Sequence, residues 1–238
     1  TATVNNVSCN GGADGSAVVT TSGGRTPYSY LWDNNQTTDT VTNLAAGNHS
    51  VTITDSSGCT VVSSINITEP ATLTVSTNVD FDASCFGLSD GIAYATPSGG
   101  TTPYTYLWSD SQTQDTARNL GAGSYQLTVT DQNGCTTTSS VSITEPDSLI
   151  SSIGSSIDVS CNGGNNAYAV ANGVGGTTPY TYLWSDNQTQ DTAKNLSAGQ
   201  YRVTITDAQG CSDTVSVEIN EPTPLQTSIS SSANVSCN

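Results

Sequence analysis

The 238 residues carry 20 Asp plus Glu against 4 Lys plus Arg, a formal net charge of −16. A surface of that sign repels phosphate backbones and excludes nucleic acid as a partner. No run of about 18 apolar residues occurs, so the segment offers no membrane span, and no basic-then-apolar leader precedes its first repeat. Charged residues make up only 10%, with Thr, Ser, Asn and Gly between the apolar positions. That is the composition of a strand-and-turn protein, not of a disordered acidic one.

Seven cysteines stand at 9, 59, 85, 135, 161, 211 and 237, alternately 50 and 26 residues apart. Adding 76 maps each repeat on the next, and Pro27/103/179, Trp32/108/184 and Glu69/145/221 keep the register. A period of 76 exceeds most solenoid units, which run roughly 20–50 residues, and matches a small autonomous domain. The expected domains are 1–70, with a shortened first strand, then 71–146 and 147–222, with 223–238 opening a fourth repeat. Both ends fall out of phase with the repeat, so the chain reads as a window from a longer array. On that reading Cys237 pairs with a residue beyond the chain.

Within the second repeat, Leu73 to Ser84 reads as a first strand, followed by Cys85 and a turn from Phe86 to Gly91. Ile92 to Thr96 is a second strand, ended by Ser98-Gly99-Gly100. Pro103 opens the strand Tyr104 to Trp108, and a looser strand covers Gln112 to Leu120. Gly123 starts the strand through Asp131, and the turn Gln132-Asn133-Gly134 leads through Cys135 to a last strand ending at Ile143. No 3.6-residue apolar period appears, so no helix is expected. Alternation puts Tyr104, Tyr106 and Trp108 on one face, and likewise Tyr125, Leu127 and Val129. Two half-buried sheets of this kind make an all-β fold, a tandem array of immunoglobulin-like β-sandwiches with six or seven strands each. Leu120-x-x-Gly123-x-Tyr125 has the pattern of a tyrosine corner, repeated at Leu196, Gly199 and Tyr201, with His49 in the first copy.

Evenly spaced cysteines without metal-type partners point to disulfides and an extracellular, oxidising setting. The recurring 50-residue interval predicts one bridge per repeat near one pole of the sandwich: Cys9–Cys59, Cys85–Cys135 and Cys161–Cys211. Closing such a loop contributes about 4 kcal/mol. Glu-Pro and a very short linker predict stiffly joined beads, three of them spanning on the order of 100 Å.

No nucleophile–base pair recurs, and the single histidine, His49, gives way to Tyr125 and Tyr201, so no enzyme and no cofactor are expected. Calcium is the one ion with candidate donors, Asp131, Asn133 and Asp207 in tight turns, with plain turn-capping as the alternative.

Cys-Asn-Gly-Gly-x-Asp-Gly-Ser-Ala at Cys9 to Ala17 is followed by Gly-Gly-x-x-Pro-Tyr-x-Tyr-x-Trp at Gly23 to Trp32. The Leu44-to-Cys59 segment and the ending Ile67-Thr-Glu-Pro70 complete a pattern that resembles the SprB repeat. Departures are Cys85-Phe86-Gly87-Leu88 and Asn166-Ala167, both in the loop after the first cysteine. The resemblance implies a very large cell-surface adhesin of gliding bacteria, exported by the type IX route. It also implies O-glycosylation at Asp-Thr-apolar sites, which makes Thr40, Thr116 and Thr192 candidates. The expected function is a structural shaft or stalk giving reach and stiffness, its partners being neighbouring repeats or laterally associated copies. The alternative is that each bead binds surface polysaccharide.

Overall fold

The structure is a computed structural model that describes residues 2–232. These form eighteen strands and no helix, six strands to a repeat. The first repeat contains β1 (Ala2–Asn5), β2 (Gly15–Val19), β3 (Ser29–Trp32), β4 (Thr40–Leu44), β5 (Gly47–Thr54) and β6 (Thr60–Ile67). The second has β7 (Thr74–Phe81), β8 (Gly91–Ser98), β9 (Thr105–Trp108), β10 (Thr116–Leu120), β11 (Gly123–Thr130) and β12 (Thr136–Ile143). The third has β13 (Ile150–Ile157), β14 (Ala167–Val174), β15 (Thr181–Trp184), β16 (Thr192–Leu196), β17 (Gly199–Thr206) and β18 (Ser212–Ile219). Two compact units result, 1–81 with 91–143, and 82–90 with 144–238. The described residues 223–232, expected to begin a fourth repeat, carry no strand.

Each repeat packs two three-stranded antiparallel sheets, β1-β2-β4 on β3-β5-β6 in the first, with the same order in the others. Alternation drives the packing: in β2 Ala17 and Val19 are buried while Val18 is exposed. The buried faces meet around Trp32, Val41, Leu44, Val51 and Ile67, each at most 1% exposed. In the third repeat Trp184, Ala193, Leu196, Val203 and Ile219 occupy the same places. The indole N–H of each tryptophan donates 2.9 Å to a carbonyl, of Thr38, Gln114 or Gln190, which removes the cost of burying it.

Strand direction does not alternate throughout. β2 pairs antiparallel with β4 (Gly15↔Leu44) and β3 with β5 (Ser29↔Thr54), so β3 and β4 run the same way in opposite sheets. A glutamine holds this change of sheet. Gln36 Nε2 donates to Thr42 O (2.8 Å) and its Oε1 accepts from Thr42 N (3.1 Å). Gln112 does the same to Arg118, and Gln188 to Lys194.

The consequence overturns the expected disulfides. A bridge within a repeat requires both cysteine turns at one pole, as strict alternation would give. In the first repeat the Cys9 loop lies where β6 ends, Val7 N–H donating to Thr68 O (3.0 Å), whereas Cys59 lies where β5 ends, beside Arg25. The eight residues of β5, at about 3.3 Å each, set these poles roughly 26 Å apart. The observed bridges are Cys9–Cys135 and Cys85–Cys211, each with 5.8 Å between Cα atoms. Cys9–Cys59, Cys85–Cys135 and Cys161–Cys211 do not form. Cys59 and Cys161 are exposed free thiols, and Cys237 lies outside the described residues.

Candidate functional site: the bridged junction

Two turns built from local sequence meet at each bridge. The first is the loop that follows the first strand of a repeat. Ser8 N–H donates to Asp14 Oδ1 (3.0 Å), and Ser84 N–H to Asp90 Oδ1 (2.9 Å). Their serine partners hold Asp14 and Asp90 below the usual carboxylate range. Asn166 takes the same role for Ser160 (3.1 Å), so that departure from the repeat pattern keeps the geometry. The glutamate of each Glu-Pro reaches the glycine two residues past the cysteine. Glu69 accepts from Gly11 N–H (2.6 Å), Glu145 from Gly87 (2.6 Å) and Glu221 from Gly163 (2.8 Å). Sequence reasoning missed this role, although the strict period of the glutamate was its signal.

The second turn is the hairpin before the last strand. Asp131, 5% exposed, accepts from Asn133 N and Cys135 N on Oδ1 and from Thr101 N on Oδ2, all at 2.9 Å. Burial pushes its carboxyl up, and these N–H groups together outweigh burial and hold it below the ordinary value. Asp207 repeats the arrangement with Thr177, Cys211 and Gln209. Asp55 does so with Arg25, Cys59 and Ser57, Arg25 N–H being the main cause of its lowered value. The calcium candidates Asp131 and Asn133 thus share one turn, in which the Asn133 amide donates to Ser8 O (2.9 Å) and Thr101 Oγ1 (3.1 Å). Among the described residues no three His, Cys, Asp or Glu side chains cluster as metal ligands.

In the first unit the two turns close a junction between repeats. Besides Cys9–Cys135, Ser8 O accepts from the Asn133 amide. Asn10 Nδ2 donates to Pro70 O (3.1 Å), and Thr72 Oγ1 donates to Asn10 Oδ1 (2.8 Å). Gly100 N–H donates to Ala71 O (2.8 Å), so the linker itself is stitched to the second repeat. In the second unit Cys85–Cys211 ties loop 82–90 to the third repeat, and Gly176 N–H donates to Asp147 O (2.7 Å).

The corner expectation holds in all three copies. Tyr125 O–H donates to Gly121 O (3.1 Å), Tyr201 O–H to Ser197 O (3.2 Å), and His49 Nε2 lies 3.0 Å from Ala45 O. Thr40, Thr116 and Thr192 each open the fourth strand of a repeat, with the hydroxyl donating to the preceding Asp39, Asp115 or Asp191. Beside Asp115, half-buried Tyr104 and Tyr106 and the residues Thr113 and Gln114 line an open groove of about 500 Å³. Tyr180, Tyr182 and Asp191 line its counterpart in the third repeat. Burial, and then the Asp115 charge, raise the Tyr106 phenol above its ordinary value.

Two-sheet sandwiches in tandem, each with a corner bond and with cysteines paired across repeat boundaries, define a disulfide-stitched array of immunoglobulin-like domains. The SprB repeat family model matches residues 1–37, 77–113 and 154–189, so the resemblance is shown over the first half of each repeat, the part that holds its first cysteine and its tryptophan. No curated protein matches the chain in sequence. Similar solved structures include the N-terminal eight Ig domains of Down Syndrome Cell Adhesion Molecule isoform 1.30.30, at 11% identity and TM-score 0.35, covering 82% of this chain and 32% of that one. Drosophila OTK extracellular domains 3-5 match at 13% identity and TM-score 0.29, covering 84% and 87%. Dpr2 Ig1-Ig2 in complex with DIP-Theta Ig1-Ig3 matches at 10% and 0.30, covering 90% and 95%. The chain spans about a third of the length of the first of these.

Proposed function

We propose that this chain is a structural segment of a long extracellular cell-surface adhesin or filament, supplying reach and stiffness for adhesion or gliding while doing no chemistry of its own. The observation that carries this reading is the bridge that spans a repeat boundary, Cys9–Cys135. A bridge inside one bead would stabilise that bead alone. A bridge across the boundary resists hinging and passes tension from one sandwich to the next through a covalent bond. The two disulfides support an oxidising compartment, and the SprB repeat match supports display at a cell surface. Glycans on Thr40, Thr116 and Thr192 would add protease resistance to such a shaft.

Deleting one whole 76-residue repeat from the parent protein tests this. The cysteine register survives the deletion, so the surface structure should shorten while adhesion persists. Loss of adhesion on removing a single repeat would sink the shaft reading. The groove at Tyr104, Tyr106, Gln114 and Asp115 favours a second reading, polysaccharide binding, because aromatic faces beside a carboxylate and an amide suit sugar rings. Tyr106→Ala and Tyr182→Ala together should abolish glycan retention if that reading holds, and leave the fold intact.

A further inference from the structure

Three departures from the repeat converge on one place in the third sandwich. Asn166 stands where the first two repeats have Asp14 and Asp90, Tyr168 where they have Ser16 and Ile92, and Lys194 where they have Thr42 and Arg118. Tyr168 and Lys194 are partners across β14 and β16. Their side chains share the outer face of the sheet, because the flanking Ala167, Ala169 and Ala193 are buried. The register shifts directly beside this pair, where Asn195 is an extra residue on β16 at φ 55°. Such a bulge bends its strand and re-aims the side chains next to it. An open pocket of about 310 Å³ lies here, lined by Asn166, Ala167, Tyr168, Thr192, Lys194 and Asn195.

A following repeat does not cover this position. In the first repeat, which the second follows within one unit, Thr42 and Asn43 are exposed and Ser16 bonds to Asn5 of its own repeat (3.1 Å). The chemistry of the pocket is unlike the rest of the surface. Lys194 is the only lysine in a chain of net charge −16, and no ion pair among the described residues engages it. Asn166 removes the carboxylate that the repeat pattern puts here. It keeps the turn nonetheless, accepting from Ser160 N–H as Asp14 does from Ser8. The half-buried Tyr168 supplies an aromatic wall, and Asn166, Asn195 and Thr192 supply amide and hydroxyl groups.

We propose that this pocket of the third repeat binds a sugar residue carrying a single carboxylate, a hexuronic acid standing among neutral sugars or at the end of a glycan. The Lys194 ammonium holds the carboxylate, the Tyr168 face packs on the ring, and the amides with Thr192 bond its hydroxyls. One cation on an acidic surface matches one negative charge, whereas a polyanion would bring its further charges against the surrounding carboxylates. The volume lies at the lower end of small-molecule pockets, about 300–1,000 Å³, and suits a single ring. Because Thr192 lines the pocket, a glycan on its hydroxyl would shut the site. The site is separate from the groove at Tyr182 and Asp191, and it stands whether or not the array serves as a shaft.

The test uses the full chain, made without glycans and isotope-labelled, titrated with methyl glucuronide and, as the neutral match, methyl glucoside. Saturable amide shifts at Ala167, Tyr168 and Lys194 are expected with the glucuronide, and about tenfold or weaker binding of the glucoside. Tyr168→Ala and Lys194→Gln should each weaken glucuronide binding by about tenfold or more. Asn166→Asp restores the residue of the first two repeats, so the turn at Ser160 should hold while binding falls by a similar factor. Unchanged Trp184 emission in these variants separates loss of the site from loss of the fold, and Arg118→Gln should bind as the unaltered chain does. Equal affinity for the two sugars, no binding of either, or undiminished affinity in Asn166→Asp would overturn the site. So would shifts confined to Tyr182 and Asp191, a matching loss in Arg118→Gln, or tighter binding of a glutamate-rich peptide than of the glucuronide. Failure here leaves the repeat-deletion result unaffected, so the two readings fall separately.

Discussion

Replacing Cys9 and Cys135 together by serine removes the covalent tie across the first junction. The bridge closes a sequence interval of 126 residues, and the chain-entropy model assigns such a loop about 5 kcal/mol of stability. A sandwich of this size has a stability of about 5 kcal/mol or less from its core alone. The double variant should therefore lose most of its resistance to denaturant in the first two repeats, read by tryptophan fluorescence of Trp32 and Trp108. Cys59→Ser is the control. Its thiol is exposed and unbridged, so it should change stability by less than about 0.5 kcal/mol. A loss from Cys59→Ser as large as that from the double variant would refute the pairing. The four basic residues make the connectivity directly readable: cleavage after Arg25, Arg118, Lys194 and Arg202 should leave fragment 1–25 linked only to 119–194, and 26–118 only to 203–238. Bridges within repeats would instead join all four of these fragments into one species.

The linker contacts predict unequal costs for one substitution at equivalent sites. Gly23→Ala, at φ 83° with nothing nearby, should cost about 1–2 kcal/mol from its left-handed backbone. Gly99→Ala must in addition displace the Thr72 carbonyl, so its melting temperature should fall clearly further; equal shifts would deny the stitched linker. Ser111 sits at φ 74° where its counterparts are Asn35 and Asn187. Asparagine tolerates that region, so Ser111→Asn should raise stability by about 0.5 kcal/mol in a denaturant titration, and a loss would contradict the turn geometry. The carboxyls of Asp55, Asp131 and Asp207 lie below the ordinary value when folded. Their contribution is complete above the unfolded value of about 3.9 and is lost as pH falls through the folded values. Thermal midpoints should decline below about pH 4, and less steeply in Asp131→Asn. Comparing the two proteins cancels the relief of general acidic repulsion, and parallel curves would remove Asp131 from the account.

The groups of six strands, the buried tryptophans and the corner bonds were legible in the sequence because each follows from local rules. Alternation buries Trp108, Leu127 and Val129, and Gly123 with Tyr125 marks the corner. His49 could be placed there because a ring nitrogen can reach the same carbonyl as a phenol. The disulfide partners were not legible. Spacing shows that cysteines recur every 76 residues, and a register of that kind fits pairing within a repeat or with the next one equally well. What chose between them was strand direction: Gln112 and its counterparts carry the chain from one sheet to the other without reversing it, so the two cysteine turns of one repeat end at opposite poles. Local sequence therefore determined each sandwich, while the tertiary crossing of strands decided that covalent bonds would join one sandwich to its neighbour, because a disulfide reaches about 6 Å and a sandwich is several times longer.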